Sequence, residues 1–415
     1  MGTDADFLEL TQAVHNRGMR IIIDGVFNHC SWYFPPFDDV VKHGNTSAYA
    51  DWFYDLSFPV KRPQEGEAPG YACFAYEPKM PKLNTAHPGV QEYFAEVGRY
   101  WIEKFHVDGW RLDVAADLGH SPEENHQFWR DFRKAVKEAN PNAVILAEHY
   151  GDPKSWLDGT QWDTIMNYDA FMEPITWFLT GMEKHSDDYK GENIGNIGNF
   201  EGTMRHHMTR LMTPSLLCAM NELSNHDHSR FLTRTNHKAG RAEEFGPDAA
   251  GEDINKGIMK EAVVFQMTWP GAPTLYYGDE AGQVGFTDPD NRRTYPWGEE
   301  DMDLLEFHRE IIRIHRESEA LRTGSVKLLE GEYNFLCYAR FNREDQYVVI
   351  LNNDSVRRTA EIEVWSANLP KECELKQEMF SYENGYSVNP VIYNVEKGKL
   401  VITMPKYSSL VLKKI

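Results

Sequence analysis

Three acids of this chain each stand at the end of an apolar run. Asp113 closes Gly109-Trp110-Arg111-Leu112-Asp113-Val114, Glu148 follows Val144-Ile145-Leu146-Ala147, and Asp227 ends Asn225-His226-Asp227. A fourth segment, Asp24-Gly25-Val26-Phe27-Asn28-His29, has the same build. Carboxylates in pairs suit the cleavage of an acetal. One attacks the anomeric carbon through an oxocarbenium-like transition state while the other protonates the leaving oxygen, at about 5–5.5 Å separation when configuration is retained. Asp113 and Glu148 end consecutive strands, which puts them on one rim. Arg111 lies two residues before Asp113, so both side chains leave the strand on the same side, and a fixed cation there keeps Asp113 ionised. The apolar run before Glu148 and its two acidic neighbours favour the protonated form that a donor needs. Asp227 supplies a third carboxylate, and His29 and His226 stand beside the acids.

Each signal has a plainer reading. A lone aspartate at a strand end is more often a helix cap or a turn former, and Asp24 fits that use as an anchor for the Asn28 loop. A lone histidine is usually a satisfied hydrogen-bonding residue. The weight comes from four such segments in order, each after an apolar strand.

The elements that must position them alternate. Helical periodicity runs over 3–17, 90–105, 123–139, 203–212, 254–269 and 304–318. Strands are predicted at 19–27, 107–114, 143–147, 162–166, 215–223 and 274–277, the first of them buried on both faces. Alternating βα units imply a parallel sheet with helices outside, and active sites of such barrels lie at the strands' C-terminal ends. Residues 30–87 break the rhythm with Pro, Gly and aromatic residues, and are too long for a structureless loop. From Gly324 the period becomes two, with strands expected at 326–328, 335–339, 347–351 and 400–402. The expected organisation is a catalytic (β/α) barrel over 1–29 and 88–322, an inserted small domain over 30–87 after the third strand, and a C-terminal antiparallel β-sandwich over 323–415.

Composition narrows the classes. A chain of 415 residues is too long for one compact core. Its net charge of -21 argues against nucleic acid and anionic membranes as partners. Five widely spaced cysteines without a CxxC pair suggest reduced thiols and a cytoplasmic setting. Cys30, beside His29, reads as a small buried side chain before it reads as a nucleophile. The first residues lack the basic and apolar regions of a signal peptide.

The four segments resemble those of glycoside hydrolase family 13, the α-amylase family, from Thr3 to the end of the chain. The resemblance implies a TIM barrel and a retaining glycosidase. In it Asp113 is the nucleophile, Glu148 the general acid/base and Asp227 the transition-state stabiliser, with His29, Arg111 and His226 binding the sugar. Gly271-Ala272-Pro273-Thr274-Leu275-Tyr276-Tyr277-Gly278-Asp279-Glu280 is similar to the family's last barrel-strand segment. Met80-Pro81-Lys82-Leu83-Asn84 is similar to the segment marking the neopullulanase, cyclomaltodextrinase and maltogenic amylase group, which makes Lys82 and Tyr76 candidates for one side of a sugar groove. Both also read as surface residues. Val114-Ala115-Ala116-Asp117 and His149-Tyr150-Gly151-Asp152 depart from that group at positions facing the leaving-group subsites, and so bear on cyclodextrin or pullulan preference.

The family's first two βα units have no counterpart ahead of residue 1, so six barrel strands are expected, with those at 19–27 and 274–277 as edges. Such a truncated start also leaves room for a lost secretion signal. Asn28 matches a position that holds calcium in many members. Its oxygen is a suitable hard ligand or a loop anchor, and Asp117 stands where a calcium-contacting histidine is common. No cofactor is otherwise required. The implied function is hydrolysis of α-1,4-glucosidic bonds in maltooligosaccharides, starch or related α-glucans. The alternatives are transglycosylation through the same intermediate, a non-catalytic binding homologue, and a catalytically weak or inactive truncated homologue. The expected partner is an α-glucan, with a homodimer also open.

Overall fold

The computed structural model describes residues 2–415. They form two compact units that divide between Met166 and Asn167. That division lies at neither end of segment 30–87, nor at 322.

The first unit carries four parallel strands in the order β1 (Ile23–Gly25), β2 (Gly109–Leu112), β3 (Val144–Ala147) and β4 (Thr164–Ile165). The Pro88–Phe105 and Pro122–Ala139 helices lead into β2 and β3. Each begins with proline in its first turn, and Ser121 and Glu124 form a reciprocal capping box on the second. That helix buries Phe128, Trp129, Phe132, Ala135 and Val136, the spacing of one helical face. Phe27 packs there, its ring 5.2 Å from Phe132 and 4.8 Å from Phe94. Truncating such a buried ring costs about 3–5 kcal/mol.

Gly109 has a steric reason. Its φ is +154°, and a Cβ there would meet the Val144 carbonyl oxygen at 2.2 Å. Only glycine lets β2 approach β3 at that point. The expectation that β1 is buried on both faces is corrected: Met19, Ile22 and Val26 are 40–49% exposed. β1 is the edge of its sheet and has a neighbour on one side alone.

Segment 30–87 has a small core of its own. The Pro35–His43 helix buries Phe37, whose ring lies 5.0 Å from both Phe53 and Tyr71. Antiparallel bridges join His29 to Lys82, Phe53 to Leu83 and Cys73 to Pro81.

In the second unit β5 (Met220–Glu222) pairs in parallel with β6 (Ala272–Thr274). The strand expected at 215–223 is shorter because Thr213–Leu217 is helical, with Pro214 in its first turn. The Glu173–Thr180 helix, entered through a π turn at Tyr168–Met172, has no counterpart among the periodic segments. It is apolar nearly all round, so it lacks the one-sided pattern that marks a surface helix.

The chain closes with nine antiparallel strands: β7 (Ser325–Glu332), β8 (Phe335–Phe341), β9 (Gln346–Asn352), β10 (Arg358–Glu363), β11 (Cys373–Tyr382), β12 (Gly385–Ser387), β13 (Ile392–Glu396), β14 (Lys399–Met404) and β15 (Ser408–Lys414). They form one continuous hydrogen-bonded sheet whose two ends enclose a shared apolar core. Alternate residues serve two cores. Phe335, Cys337, Val348 and Ile350 share one with Ile402 and Leu412, while Leu336, Tyr338, Val349 and Leu351 pack with the Lys256–Thr268 helix. Among the described residues no helix is long and apolar enough to cross a membrane.

Candidate active site

Strand register assembles the first group of side chains. Asp24 of β1 stands opposite Arg111 of β2, and Arg111 opposite Leu146 of β3. The ladder continues past the strand ends, with Asp113 N–H donating to the Gly25 carbonyl at 3.0 Å and Glu148 N–H to the Leu112 carbonyl at 2.8 Å. Asp113 and Glu148 are thereby fixed at adjacent C-terminal ends. Arg111 Nη1 donates to Asp113 Oδ1 at 2.8 Å and to Asp24 Oδ1 at 2.9 Å. Its Nη2 lies 3.0 Å from Glu148 Oε2, an ion pair without hydrogen-bond alignment. Burial works against the guanidinium charge, yet Glu148, then Asp24 and Asp113, outweigh it and hold the proton more firmly than usual.

Glu148 also meets a backbone donor. Its Oε2 accepts the Val114 N–H at 3.0 Å. Val114 adopts φ 45° and ψ 42°, a left-handed conformation that branched residues resist.

His29 and Lys82 belong to the same unit and face each other across their antiparallel bridge. The His29 ring stacks on Phe74, with centroids 4.7 Å apart and planes 2° from parallel. Burial lowers the proton affinity of His29, against the pull of Asp113 and with added repulsion from Lys82. Lys82 Nζ donates to the Asp117 carbonyl at 2.9 Å. Burial lowers its proton affinity too, with Asp117 opposing. Tyr76 is 98% exposed. Phe74, two residues earlier, is the aromatic that meets His29.

In the second unit the Asn225-His226-Asp227 turn is held by buried amides. Asn225 Oδ1 accepts the N–H groups of Asp227 at 3.0 Å and His228 at 3.1 Å. Asn225 Nδ2 donates to Glu222 Oε1 at 2.7 Å. Asn291 Nδ2 bridges the carbonyls of Asn225 at 2.9 Å and His228 at 2.6 Å. Thr287 Oγ1 donates to the Asp227 carbonyl at 2.6 Å. The Asp227 side chain stays partly exposed, with Arg292 Nη2 and His226 Nε2 each 3.5 Å from its oxygens.

Residues 1–323 match the family described as alpha amylase, catalytic domain. The chain belongs to the α-amylase family. It is 38% identical over 361 residues to a cyclomaltodextrinase of Bacillus sp, covering 86% of this chain and 58% of that protein. It is 36% identical over 365 residues to neopullulanase 2 of Thermoactinomyces vulgaris, covering 85% of this chain and 54% of that protein. A solved cyclomaltodextrinase superposes with a TM-score of 0.83 at 33% identity, covering 100% of this chain and 63% of the other. The chain therefore spans little more than half the length of the curated relatives it matches. The fold of this α-amylase family member, parallel strands with helices and then an antiparallel sheet, is the one its four segments imply.

Phe74, Thr287 and Asn291 were not among the sequence candidates. The aromatic density of 30–87 is a signal for the first; nothing in the sequence ties the other two to Asp227. Asn28 is fully buried, and its Oδ1 has no hydrogen-bond partner among the described residues. That is one hard donor, whereas calcium takes about six to eight oxygens. Among the described residues no group of three or more His, Cys, Asp or Glu side chains is placed to hold a metal. The residues present therefore do not make an acidic calcium cage. All five cysteines are free thiols, and burial pushes the Cys30 thiol up to about 12, which disfavours the thiolate a nucleophile needs.

Proposed function

We propose that this chain carries the catalytic part of a retaining α-glucan hydrolase that cleaves α-1,4-glucosidic bonds in maltooligosaccharides, starch or related α-glucans. The observation that carries the reading is the single guanidinium of Arg111 held between Asp113 and Glu148, 2.8 Å from one carboxylate and 3.0 Å from the other. Asp113, bonded through Oδ1, offers its other oxygen to the anomeric carbon. Glu148, its Oε2 held by the Val114 N–H and Arg111, gives the leaving oxygen its proton. Departure of the leaving group with that proton leaves a glycosyl ester on Asp113. Glu148, now a carboxylate, takes a proton from water as the water opens the ester with net retention. His29, Arg111, His226 and Lys82 bind the sugar, and Asp227 keeps the stabilising role implied by its motif. Both proton transfers use carboxyl groups, so the chemistry needs no cofactor. The free thiols favour work in a reducing, cytoplasmic compartment.

The test is product analysis on maltoheptaose, β-cyclodextrin and pullulan, with NMR of the first-formed anomer. An α-configured product is expected, with turnover nearly abolished by Asp113→Asn while the fold persists. A β-configured first product would overturn the retaining mechanism. Products longer than the substrate would mark transfer to sugar in place of water.

A further inference from the structure

The second unit contains a cavity of about 400 Å³ between the Glu173–Thr180 and Ile197–Met208 helices, outside the residues assigned to the reaction. Its size falls in the range of about 300–1,000 Å³ typical of small-ligand sites. One wall is the half-buried indole of Trp177. Trp177 Nε1 donates to Glu173 Oε2 at 3.2 Å, which fixes the ring by its edge. Around it stand Asn193, Asn196 and Thr203, groups that both donate and accept hydrogen bonds. Asn196 Oδ1 accepts the Asn199 N–H at 3.0 Å.

Ionisable groups of both kinds line the cavity: Asp169 and Glu173, with Lys190 and His207. Glu173 is ion-paired with Lys184. Lys190, also in the lining, pairs with Asp188 at 2.8 Å, and its Nζ lies 5.5 Å from the Trp177 ring centroid. Both partners of that pair are about half exposed, so the lysine can lift from the ring at little cost. An aromatic face, neutral amides and a hydroxyl suit a ligand with apolar ring faces and many hydroxyl groups. With acids and bases both in the lining, no one sign of charge is selected.

We propose that this cavity is a second oligosaccharide site, which takes a neutral α-glucan segment with one glucose ring against Trp177. The choice of α-glucan rests on the hydrolase reading above; the choice of a neutral sugar rests on the cavity. The site would hold the chain on a long polymer without taking part in bond cleavage.

The test is affinity electrophoresis through gels containing amylopectin, with turnover of a short aryl maltoside measured in parallel. Trp177→Ala should weaken retardation by roughly fivefold to tenfold, the loss of one aromatic contact, with kcat/KM on the short substrate unchanged. Asn193→Ala should weaken it less. Trp177→Phe should retain most of it and controls for folding. If Trp177→Ala and Asn193→Ala migrate with the same retardation as the unaltered chain, or if the unaltered chain is not retarded at all, the site is overturned. If the unaltered chain fails to hydrolyse any glucan yet loses retardation on Trp177→Ala, the hydrolase reading falls and the sugar site stands.

Discussion

Val114 N–H donates to Glu148 Oε2 at 3.0 Å, and Val114 can do so because it sits at φ 45° and ψ 42°. The residue after the proposed nucleophile thus orients the proposed acid. A branched residue held in this region stores about 1–3 kcal/mol. Val114→Gly should release that strain, leaving thermal stability equal or higher within about 1 kcal/mol. It should also loosen Glu148 and lower kcat roughly tenfold with little change in KM, as expected when only transition-state alignment suffers. A variant with unchanged kcat would show that the strain serves the fold alone.

Arg111 separates two roles among the acids that it touches. Its side chain is 11% exposed, as against 20% for Asp113 and 10% for Glu148, while Asp24 is 53% exposed. Arg111→Met leaves the largely buried Asp113 carboxylate without its counter-charge and should cost about 3–5 kcal/mol in denaturant unfolding. Asp24→Asn removes a half-exposed partner and should cost only about 0–1 kcal/mol. Equal losses in the two variants would mean that Asp24 anchors the β1 loop as strongly as Arg111 holds the acids.

The period-two spacing in Gly109-Trp110-Arg111-Leu112-Asp113 made one half of the site legible. Arg111 and Asp113 share a side, Trp110 and Leu112 are buried, and register does the rest. Lys82 was legible through its neighbours Met80 and Pro81, and it does face His29. Phe74, which stacks on His29, was not singled out beside Tyr76 because two aromatics two residues apart look alike until the loop's path is known. The exposure of Met19, Ile22 and Val26 was missed because apolar composition reports hydrophobicity and not how many neighbours a strand has. The β11 strand (Cys373–Tyr382) escaped notice because Glu374, Lys376 and Glu378 dilute its apolar alternation and its register shifts between Gln377 and Met379. Contacts across long sequence separations, such as Asn291 with Asn225, leave no local trace at all.

Asn291 offers a test of how the Asp227 turn is held. Its Nδ2 is the donor to two buried carbonyls, those of Asn225 and His228, on either side of Asp227. Asn291→Asp keeps the shape but replaces that donor with a second acceptor, leaving both carbonyls unmatched. A loss of about 1–3 kcal/mol in stability is expected. The kcat should fall by roughly tenfold on long and short glucans alike, because a stabilising carboxylate acts whatever the leaving group. A selective loss on poor leaving groups would place the effect on proton donation instead and sever Asn291 from Asp227.

Glu261 gives the sharpest pH dependence. It lies fully buried in the Lys256–Thr268 helix, and neither carboxylate oxygen has a hydrogen-bond partner among the described residues. Burial raises its proton affinity well above that of an ordinary glutamate, whose pKa is 4.5. The unfolded chain therefore loses this proton at lower pH than the folded one. The stabilising contribution is fully present below about pH 4.5 and is lost as pH rises through the folded value. Over that window this one group should lower unfolding free energy by up to about 1.4 kcal/mol per pH unit. Glu261→Gln removes the titration while keeping the size, so urea unfolding at intervals from pH 4.5 to 8 should show a shallower decline than in the unaltered chain. The variant should be the more stable protein at pH 8, with its advantage shrinking toward pH 4.5. Parallel declines in the two proteins would mean that Glu261 is reached by water or a partner on ionising, and would exclude it as the source of the pH dependence.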